Sequence, residues 1–220
     1  MTRDFQDNFE IAKTTFEEIE SYTSINIRKI ISENDNNLLN ITNFTQICIF
    51  AASVAIFRTL EEQKKIDIKE DSIFLGHSLG EYTALACSKK MNLRDTSLIL
   101  KKRGELMNEA VEPNTTGMAA LLGCNAKFIE NLITDNNLNF QIANDNSPIQ
   151  IVISGSVKDI NNSNDFFLKN NVKKYIILNV SSAFHSTYMT NAQKKLNDYL
   201  DNFQLSNNDY RIISNYSAKI

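Results

Sequence analysis

Residues 73–85 read Ile-Phe-Leu-Gly-His-Ser-Leu-Gly-Glu-Tyr-Thr-Ala-Leu, and the interpretation of the whole chain starts from this stretch. Three apolar residues precede Gly76, and a helix-forming run follows Gly80. A serine with glycine at both second neighbours, between a strand-like and a helix-like segment, is the pattern of a nucleophile elbow. The glycines leave room for a sharp turn, which strains the serine backbone and lifts its hydroxyl clear. We therefore predict that Ser78 is a catalytic nucleophile, the alternative being a structural turn.

Composition restricts the class of protein. The chain has 220 residues, of which 42% are hydrophobic and 22% charged, and this suits one soluble domain, or one domain with a smaller insert. A net charge of -3 gives no electrostatic support for binding nucleic acid or an anionic membrane. Cys48, Cys87 and Cys124 lack metal-ligand spacing, so we expect reduced core residues and no metal site. The first residues resemble neither a secretory nor a transit peptide, and no apolar run approaches the length of a membrane span, so we expect a cytoplasmic protein.

Two amphipathic helices are predicted before the elbow. Apolar residues from Phe5 to Ile19 recur at steps of four and three, which indicates one helix packed by its aromatic side. A second apolar stripe, from Ile47 to Leu60, follows residues 40–43, and Gln46 is the polar residue at its start that we single out. A strand at 72–75 then enters the elbow.

An arginine interrupts the apolar face of the helix that we predict after the elbow. Asp95 is expected to cap this helix, which runs to about Val111. Arg103 lies in the middle of a face formed by Ile99, Leu100, Leu106, Met107 and Ala110. On spacing alone we favour snorkelling, with the apolar stem covering the face and the charged head in water, over contact with a buried anion.

The pattern changes between Gly117 and Val180. Short β-rich runs at 118–122, 140–143, 150–154 and 174–180 alternate with helical stretches near 126–134 and 157–170. This β-α-β-β-α-β order is typical of a ferredoxin-like unit. We predict an α/β fold in which residues 1–115 and 181–220 form the core and residues 116–180 form an inserted ferredoxin-like (α+β) subdomain. A helix near 191–203 and a last strand at 210–214 complete the core.

A serine nucleophile needs a base near neutral pH, and histidine is the usual partner. The sequence contains two histidines. His77 is adjacent to Ser78, and neighbours in a sharp turn point apart, so we expect His77 to buttress the elbow. His185 follows a predicted strand and begins a loop, so elimination favours it as the base, the alternative being a surface histidine. No orienting carboxylate can be picked out.

Five segments of the chain can be compared together with known families: Gly-His-Ser-Leu-Gly-Glu-Tyr at 76–82, Arg-Gly-Glu-Leu-Met at 103–107, Ile-Ala-Asn-Asp-Asn-Ser at 142–147, Ile-Val-Ile-Ser-Gly at 151–155 and Ala-Phe-His at 183–185. Together they resemble the malonyl-CoA:acyl carrier protein transacylase family of bacterial fatty-acid synthesis. The segments occur in the order and spacing of that family across nearly the whole chain. Two parts of the family pattern have no match: an N-terminal strand with a Gly-Gln-Gly-Ser-Gln loop, which supplies a second oxyanion donor, and the portion that follows position 220.

The resemblance implies an α/β-hydrolase-like core with a ferredoxin-like subdomain, a Ser78 nucleophile and His185 as its general base. It implies that the Leu79 N–H is an oxyanion donor and that Arg103 holds the malonyl carboxylate, which reverses the preference for snorkelling. The implied substrate-binding residues are Arg103, Leu79, His77, Asn144 and Phe184. The phenylalanine before His185 is similar to the residue of the malonyl-selecting members. Asn144 and Asn146 match the family segment near the substrate entrance, the alternative being that they only form a turn.

The implied partners are malonyl-CoA and an acyl carrier protein, with no cofactor, no nucleic acid and no membrane, and we expect a monomer. Lysine pairs at 89–90, 101–102 and 173–174 could dock an acidic carrier protein, although a solvated surface is the simpler interpretation. One alternative function is a serine hydrolase such as a thioesterase, which would share the elbow but have no use for Arg103. Another is an inactive remnant, or a subunit that needs a partner chain to complete its sheet.

Overall fold

The computed structural model describes residues 2–180 and 182–220, so Met1 and Ser181, the predicted point of return to the core, lie outside the described residues. Two compact units divide the chain. The first contains residues 1–39, 43–105 and 196–220, and the second contains residues 40–42 and 106–195. The predicted subdomain at 116–180 therefore falls within the second unit.

Helices dominate the first half of the chain. They are α1 (Arg3–Asn8), α2 (Glu10–Thr23), α3 (Ile27–Glu33), α4 (Thr42–Glu62), α5 (Leu79–Cys87) and α6 (Leu93–Asn108). The prediction of a single helix through Phe5 and Ile19 is wrong, because Phe9 has an extended backbone (φ -134°, ψ 116°) that separates α1 from α2. Ala12, Phe16 and Ile19 are nonetheless fully buried, so the predicted apolar face of α2 is confirmed.

Helix α4 is the central helix of the first unit. Its predicted stripe is confirmed, since Ile47, Phe50 and Ala51 are fully buried in one cluster with Phe16 and Ile19. By length and composition α4 could cross a membrane, so the expectation that no apolar run approaches that length is wrong. Half of the apolar stretch of α4 is buried inside the fold. The core helix of a soluble protein can have the same length and composition.

A short parallel sheet leads into the elbow. Strand β1 (Ile73–Phe74) pairs with β6 (Arg211–Ile212), with Ile73 opposite Arg211 and Phe74 opposite Ile212. Both strands are shorter than the predicted ranges 72–75 and 210–214. The Ile213 N–H donates to the Phe74 carbonyl oxygen at 2.9 Å and extends the pairing by one bond.

The start of α6 differs from the prediction. Asn92, not Asp95, lies at the cap: the Asp95 N–H donates to Asn92 Oδ1 at 2.8 Å, and Asn92 Nδ2 donates to Asp95 Oδ2 at 2.7 Å. This reciprocal pair satisfies a helix N–H that has no partner within the helix. The helix ends at Asn108 rather than near Val111.

The second unit contains the predicted ferredoxin-like sheet. Strands β2 (Thr116–Leu122), β3 (Gln141–Ser147), β4 (Gln150–Ser156) and β5 (Lys174–Ile177) form an antiparallel sheet in the order β3-β4-β2-β5. Helices α7 (Ala126–Asp135), α8 (Val157–Asn162) and α9 (Asn164–Lys169) connect them, and α10 (Thr190–Leu200) follows. The predicted single helix at 157–170 is divided at Ser163, which lies between α8 and α9. Buried side chains of β2 and β4, including Leu121, Ile151 and Ile153, form the core with Phe167.

Cys48, Cys87 and Cys124 are free thiols, of which Cys48 and Cys124 are buried. Within residues 2–180 and 182–220, no group of three or more His, Cys, Asp or Glu side chains is arranged to hold a metal ion.

Candidate active site

The backbone at Ser78 has the strain that the elbow pattern predicts. Ser78 immediately precedes α5 and has φ 52° and ψ -106°, a conformation that residues with a side chain rarely adopt. The need for glycine lies at Gly76: a Cβ atom there would be 2.1 Å from the Gly80 carbonyl carbon. A Cβ atom at Gly80 would meet nothing within 4 Å. The tight approach of the strand to the helix therefore depends on the first glycine of the motif.

The backbone N–H groups of Ser78, Leu79 and Gly80 differ in their hydrogen-bond acceptors. The Ser78 N–H donates to Asn215 Oδ1 at 2.8 Å, and the Gly80 N–H donates to the His77 carbonyl oxygen at 2.8 Å. The Leu79 N–H makes no hydrogen bond within residues 2–180 and 182–220. It lies at the N-terminus of α5, where the helix dipole favours negative charge, so it can receive an anionic oxygen.

A buried guanidinium lies beside the serine hydroxyl. Arg103 Nη2 donates to Ser78 Oγ at 3.0 Å, and Arg103 Nη1 donates to Gln46 Oε1. The guanidinium carbon also lies 5.6 Å from the centre of the Tyr82 ring, within the range of a cation–π contact. Arg103 is only 8% exposed. The snorkelling interpretation is therefore wrong, because the charged head is inside the protein and not in water.

A close helix crossing positions this arginine. Gly104, the next residue of α6, approaches α4 so closely that a Cβ atom there would lie 2.6 Å from the Asn43 Cα. Asn43 is three residues before Gln46, so the crossing brings Arg103 and Gln46 together. Burial lowers the pKa of Arg103 and is the main cause of the raised pKa of Tyr82. The charged form of each group is therefore poorly solvated.

A cavity of about 570 Å³ lies beside the elbow in the first unit. Gly76, His77, Leu79 and Gly80 line one part of it, and the apolar side chains of Ile49, Phe57, Phe74 and Cys87 line much of the rest. His77 is exposed. Its predicted roles, as a buttress of the elbow and a substrate-binding residue, stay predictions.

The second unit holds the other predicted site residues. His185 is exposed and has a left-handed backbone (φ 53°). The loop that carries it is fastened to the sheet, since Ser154 Oγ donates to the Phe184 carbonyl oxygen at 2.8 Å and the Ala183 N–H donates to Thr116 Oγ1 at 2.9 Å. The Phe184 side chain packs against Met118, Ala120 and Val152. A base placed on this loop would therefore have a fixed backbone.

Asn144 and Asn146 belong to β3, so the alternative of turn-forming asparagines is wrong. The register of β3 against β4 shifts between Ile142 and Asn144 and again between Asp145 and Ser147. Bulges of this kind redirect side chains and are common next to active sites. The predicted substrate-binding role of Asn144 stays a prediction.

Two residues at the serine were not predicted to contact it or its arginine. Tyr82 is inside the quoted motif, but nothing in its spacing shows that its ring lies under Arg103. Asn215 is separated from Ser78 by 137 positions, and no local pattern marks it. Gln46 was singled out because it is a polar residue at the start of an otherwise apolar stripe. In the structure it contacts Arg103.

A serine on a strained strand-to-helix turn, beside a helix N-terminal N–H that has no hydrogen bond to the described residues, is the arrangement of enzymes that form acyl-serine intermediates. The family model for the acyl transferase domain matches residues 3–219. The chain therefore belongs to the acyl transferase domain family.

Individual relatives agree with this assignment. The malonyl CoA-acyl carrier protein transacylase of Bacillus subtilis (strain 168) is 34% identical, over 100% of this chain and 69% of that protein. The crystal structure of an acyl-carrier-protein-S-malonyltransferase from Bartonella henselae is similar with a TM-score of 0.89 and 32% identity, over 99% of this chain and 70% of that chain. A malonyl-transacylase solved in complex with a type II PKS acyl-carrier protein has a TM-score of 0.91 and 29% identity, over 100% of this chain and 71% of that chain. The α/β acyltransferase fold is thus confirmed.

Proposed function

We propose that this chain transfers a malonyl group from malonyl-CoA to the phosphopantetheine thiol of an acyl carrier protein, for fatty-acid biosynthesis. The observation that carries the proposal is the hydrogen bond between Arg103 and Ser78. It places a buried cation next to the hydroxyl that would be acylated, where an acyl group with a free carboxylate fits and a neutral one leaves the cation unpaired. The printed names of the relatives support the same substrate and acceptor.

In the first half-reaction Ser78 Oγ attacks the thioester carbonyl carbon while His185 takes the hydroxyl proton. The carbonyl oxygen becomes an oxyanion that the Leu79 N–H stabilises. Collapse of this intermediate breaks the carbon–sulfur bond, and coenzyme A leaves with the proton from His185. The product is a malonyl ester on Ser78.

The second half-reaction runs through the same groups. The phosphopantetheine thiol gives its proton to His185 and attacks the ester carbonyl, and the proton then returns to Ser78 Oγ as the ester bond breaks. Arg103 holds the malonyl carboxylate by two parallel hydrogen bonds throughout, which fixes the acyl group with respect to both nucleophiles. No cofactor takes part in this scheme.

The other predicted substrate-binding residues have proposed roles toward the acyl group. Phe184 supplies an apolar wall that suits an unsubstituted malonyl group, and Leu79, His77 and Asn144 contact the substrate. The packing of Phe184 against Met118, Ala120 and Val152 supports this role, because a wall must be held in place to select by size.

The acceptor is proposed to be a separate carrier protein that binds a monomeric, cytoplasmic enzyme. A relative of this chain was solved in complex with a carrier protein. Of the lysines proposed to dock it, Lys101 Nζ already donates to the Thr23 carbonyl oxygen at 2.9 Å and Lys90 Nζ donates to that of Asn208. Lys89 Nζ lies 3.7 Å from Glu61 Oε1, so Lys102 and the pair at 173–174 are then the better docking candidates.

The transfer is tested by incubating the chain with malonyl-CoA and a phosphopantetheinylated carrier protein and measuring the mass of the carrier protein. We expect a malonyl thioester on the carrier protein with the natural chain and with Ser21→Ala, whose serine is exposed on α2. Ser78→Ala should give none. Release of free malonate without carrier-protein modification would show a hydrolase instead.

A further inference from the structure

We infer that Gln46 is a positioning residue for Arg103, and that its neutrality keeps the arginine charge available for the substrate carboxylate. The inference rests on the proposed function. Gln46 is 4% exposed, in the first turns of α4, and its Oε1 accepts the hydrogen bond from Arg103 Nη1. Arg103 Nη2 is thereby directed at Ser78 Oγ.

The contact with Gln46 fixes the plane of the guanidinium. An arginine side chain has several rotatable bonds, and a bidentate grip on a carboxylate requires the planar fork in one orientation. Gln46 holds one nitrogen and the Tyr82 ring lies against the face of the group. The approach of Gly104 to Asn43 holds the two helices at the distance that this hydrogen bond needs.

Two other arginines with long-range contacts pair with carboxylates, whereas Arg211 donates to the Asp71 carbonyl oxygen. Arg28 pairs with Glu17 and Glu20, and Arg58 pairs with Glu18, all at the surface or partly exposed. Within residues 2–180 and 182–220, Arg103 has no ion pair, and the oxygen atoms that it contacts belong to neutral side chains. Arg103 is therefore more buried than Arg28 and Arg58 and, unlike them, forms no ion pair with a described carboxylate, although the charge of Glu81 acts on it and opposes the lowering of its pKa by burial.

A neutral acceptor has a specific consequence for an anionic substrate. A glutamate at position 46 would match the size of glutamine and keep an acceptor oxygen, but it would form a buried ion pair with Arg103. That pair would satisfy the arginine and repel a second carboxylate. A neutral amide orients the guanidinium and adds no negative charge to that of Glu81, which already opposes the lowering of the Arg103 pKa by burial. The guanidinium can then pair with the malonyl carboxylate.

The test compares Gln46→Glu with the same substitution at Gln63, an exposed position after α4. We expect Gln46→Glu to melt at the same temperature as the natural chain or higher. Its acylation by malonyl-CoA should be roughly 10- to 100-fold slower, because that factor corresponds to the loss of a charge-assisted hydrogen bond. Acylation by acetyl-CoA should change much less, so the malonyl-to-acetyl ratio falls. Gln63→Glu should leave both rates and the ratio unchanged.

A second variant keeps the inference testable if Gln46→Glu does not fold. Gln46→Met retains volume and removes the acceptor, and we expect it to raise the KM for malonyl-CoA more than it lowers kcat. An unchanged malonyl-to-acetyl ratio in folded Gln46→Glu or Gln46→Met would overturn the inference while leaving malonyl transfer intact.

Direct binding separates this inference from the proposed function. Free malonate is titrated calorimetrically into the natural chain and Gln46→Glu, which requires no acyl transfer. Weaker malonate binding in Gln46→Glu supports the role of Gln46 even if the natural chain transfers no malonyl group. Equal binding in both contradicts it.

Discussion

Arg103 Nη2 donates a hydrogen bond to Ser78 Oγ at 3.0 Å, from a side chain that is only 8% exposed. Among residues 2–180 and 182–220 Arg103 forms no ion pair, although the charge of Glu81 opposes the lowering of its pKa by burial, and a buried cation is costly unless it is paired with an anion. The free site therefore holds a positive charge at the hydroxyl that the acyl group would reach. This relationship connects the elbow, which serves acyl chemistry in general, to acyl groups that carry a carboxylate.

Replacement of Arg103 should change which thioester is used. Arg103→Met keeps much of the buried stem and removes the charge. We expect acylation by malonyl-CoA to fall roughly 10- to 100-fold, because a hydrogen bond to a charged group contributes about 1.5–3 kcal/mol. Acylation by acetyl-CoA should not fall in proportion, and initial rates of adduct formation with each thioester measure both. A malonyl-to-acetyl ratio equal to that of the natural chain would refute the assignment of Arg103.

The two glycines of the elbow should respond differently to alanine. In Gly76→Ala the new methyl group would be 2.1 Å from the Gly80 carbonyl carbon, so the turn must shift. We expect a loss of about 1–3 kcal/mol in the free energy of unfolding, measured in urea, and loss of Ser78 acylation. Gly80→Ala is the matched control, because its Cβ atom meets nothing within 4 Å and alanine is favoured in a helix. The explanation of the motif fails if Gly76→Ala has normal stability and activity.

Asn215 should support the elbow from the far end of the chain. Asn215→Ala removes the acceptor of the Ser78 N–H, a contact of about 0.5–1.5 kcal/mol, and water can replace part of it because Asn215 is exposed. We expect slower acylation of Ser78 with little change in melting temperature. Asn207→Ala, at an exposed asparagine between α10 and β6, is the control. Equal acylation rates in the two variants would count against a role for Asn215.

The thiols should be slow to react in the folded chain. Burial raises the pKa of Cys48 and of Cys87 from 9.0 to about 12, so both remain protonated at pH 8, and the thiolate is the reactive form. We expect slow alkylation by iodoacetamide at pH 8 and fast alkylation in denaturant. Because the unfolded thiols ionise first as the pH rises, their contribution to stability should decrease above about pH 9. Rapid alkylation of folded Cys48 at pH 8 would contradict this.

Features that depend on local pattern could be predicted from the sequence. The apolar stripe of α4 and the β-α-β-β-α-β order each repeat over many residues, and the structure contains both. The elbow was predictable because its glycines and serine are contiguous. Helix interruptions were not, since Phe9 and Ser163 are residues that also occur inside helices.

Contacts between distant residues could not be predicted in the same way. Spacing alone placed Arg103 in the apolar face of a helix. That position is compatible with both snorkelling and burial of the charged head, and only the close crossing of α6 and α4 at Gly104 decides between them. The resemblance to a family, rather than periodicity, indicated the buried role. Asn215 contacts Ser78 across 137 positions, a distance over which one sequence carries no signal.

The most direct test of the account is a competition between malonyl-CoA and acetyl-CoA at equal concentration, followed by tryptic digestion and mass spectrometry. The peptide of residues 70–89 contains Ser78. We predict a malonyl group on Ser78 in large excess over acetyl, and loss of that excess in Arg103→Met. An unmodified peptide, or equal malonyl and acetyl modification, would contradict the claim that Ser78 and Arg103 together form a malonyl-transfer site.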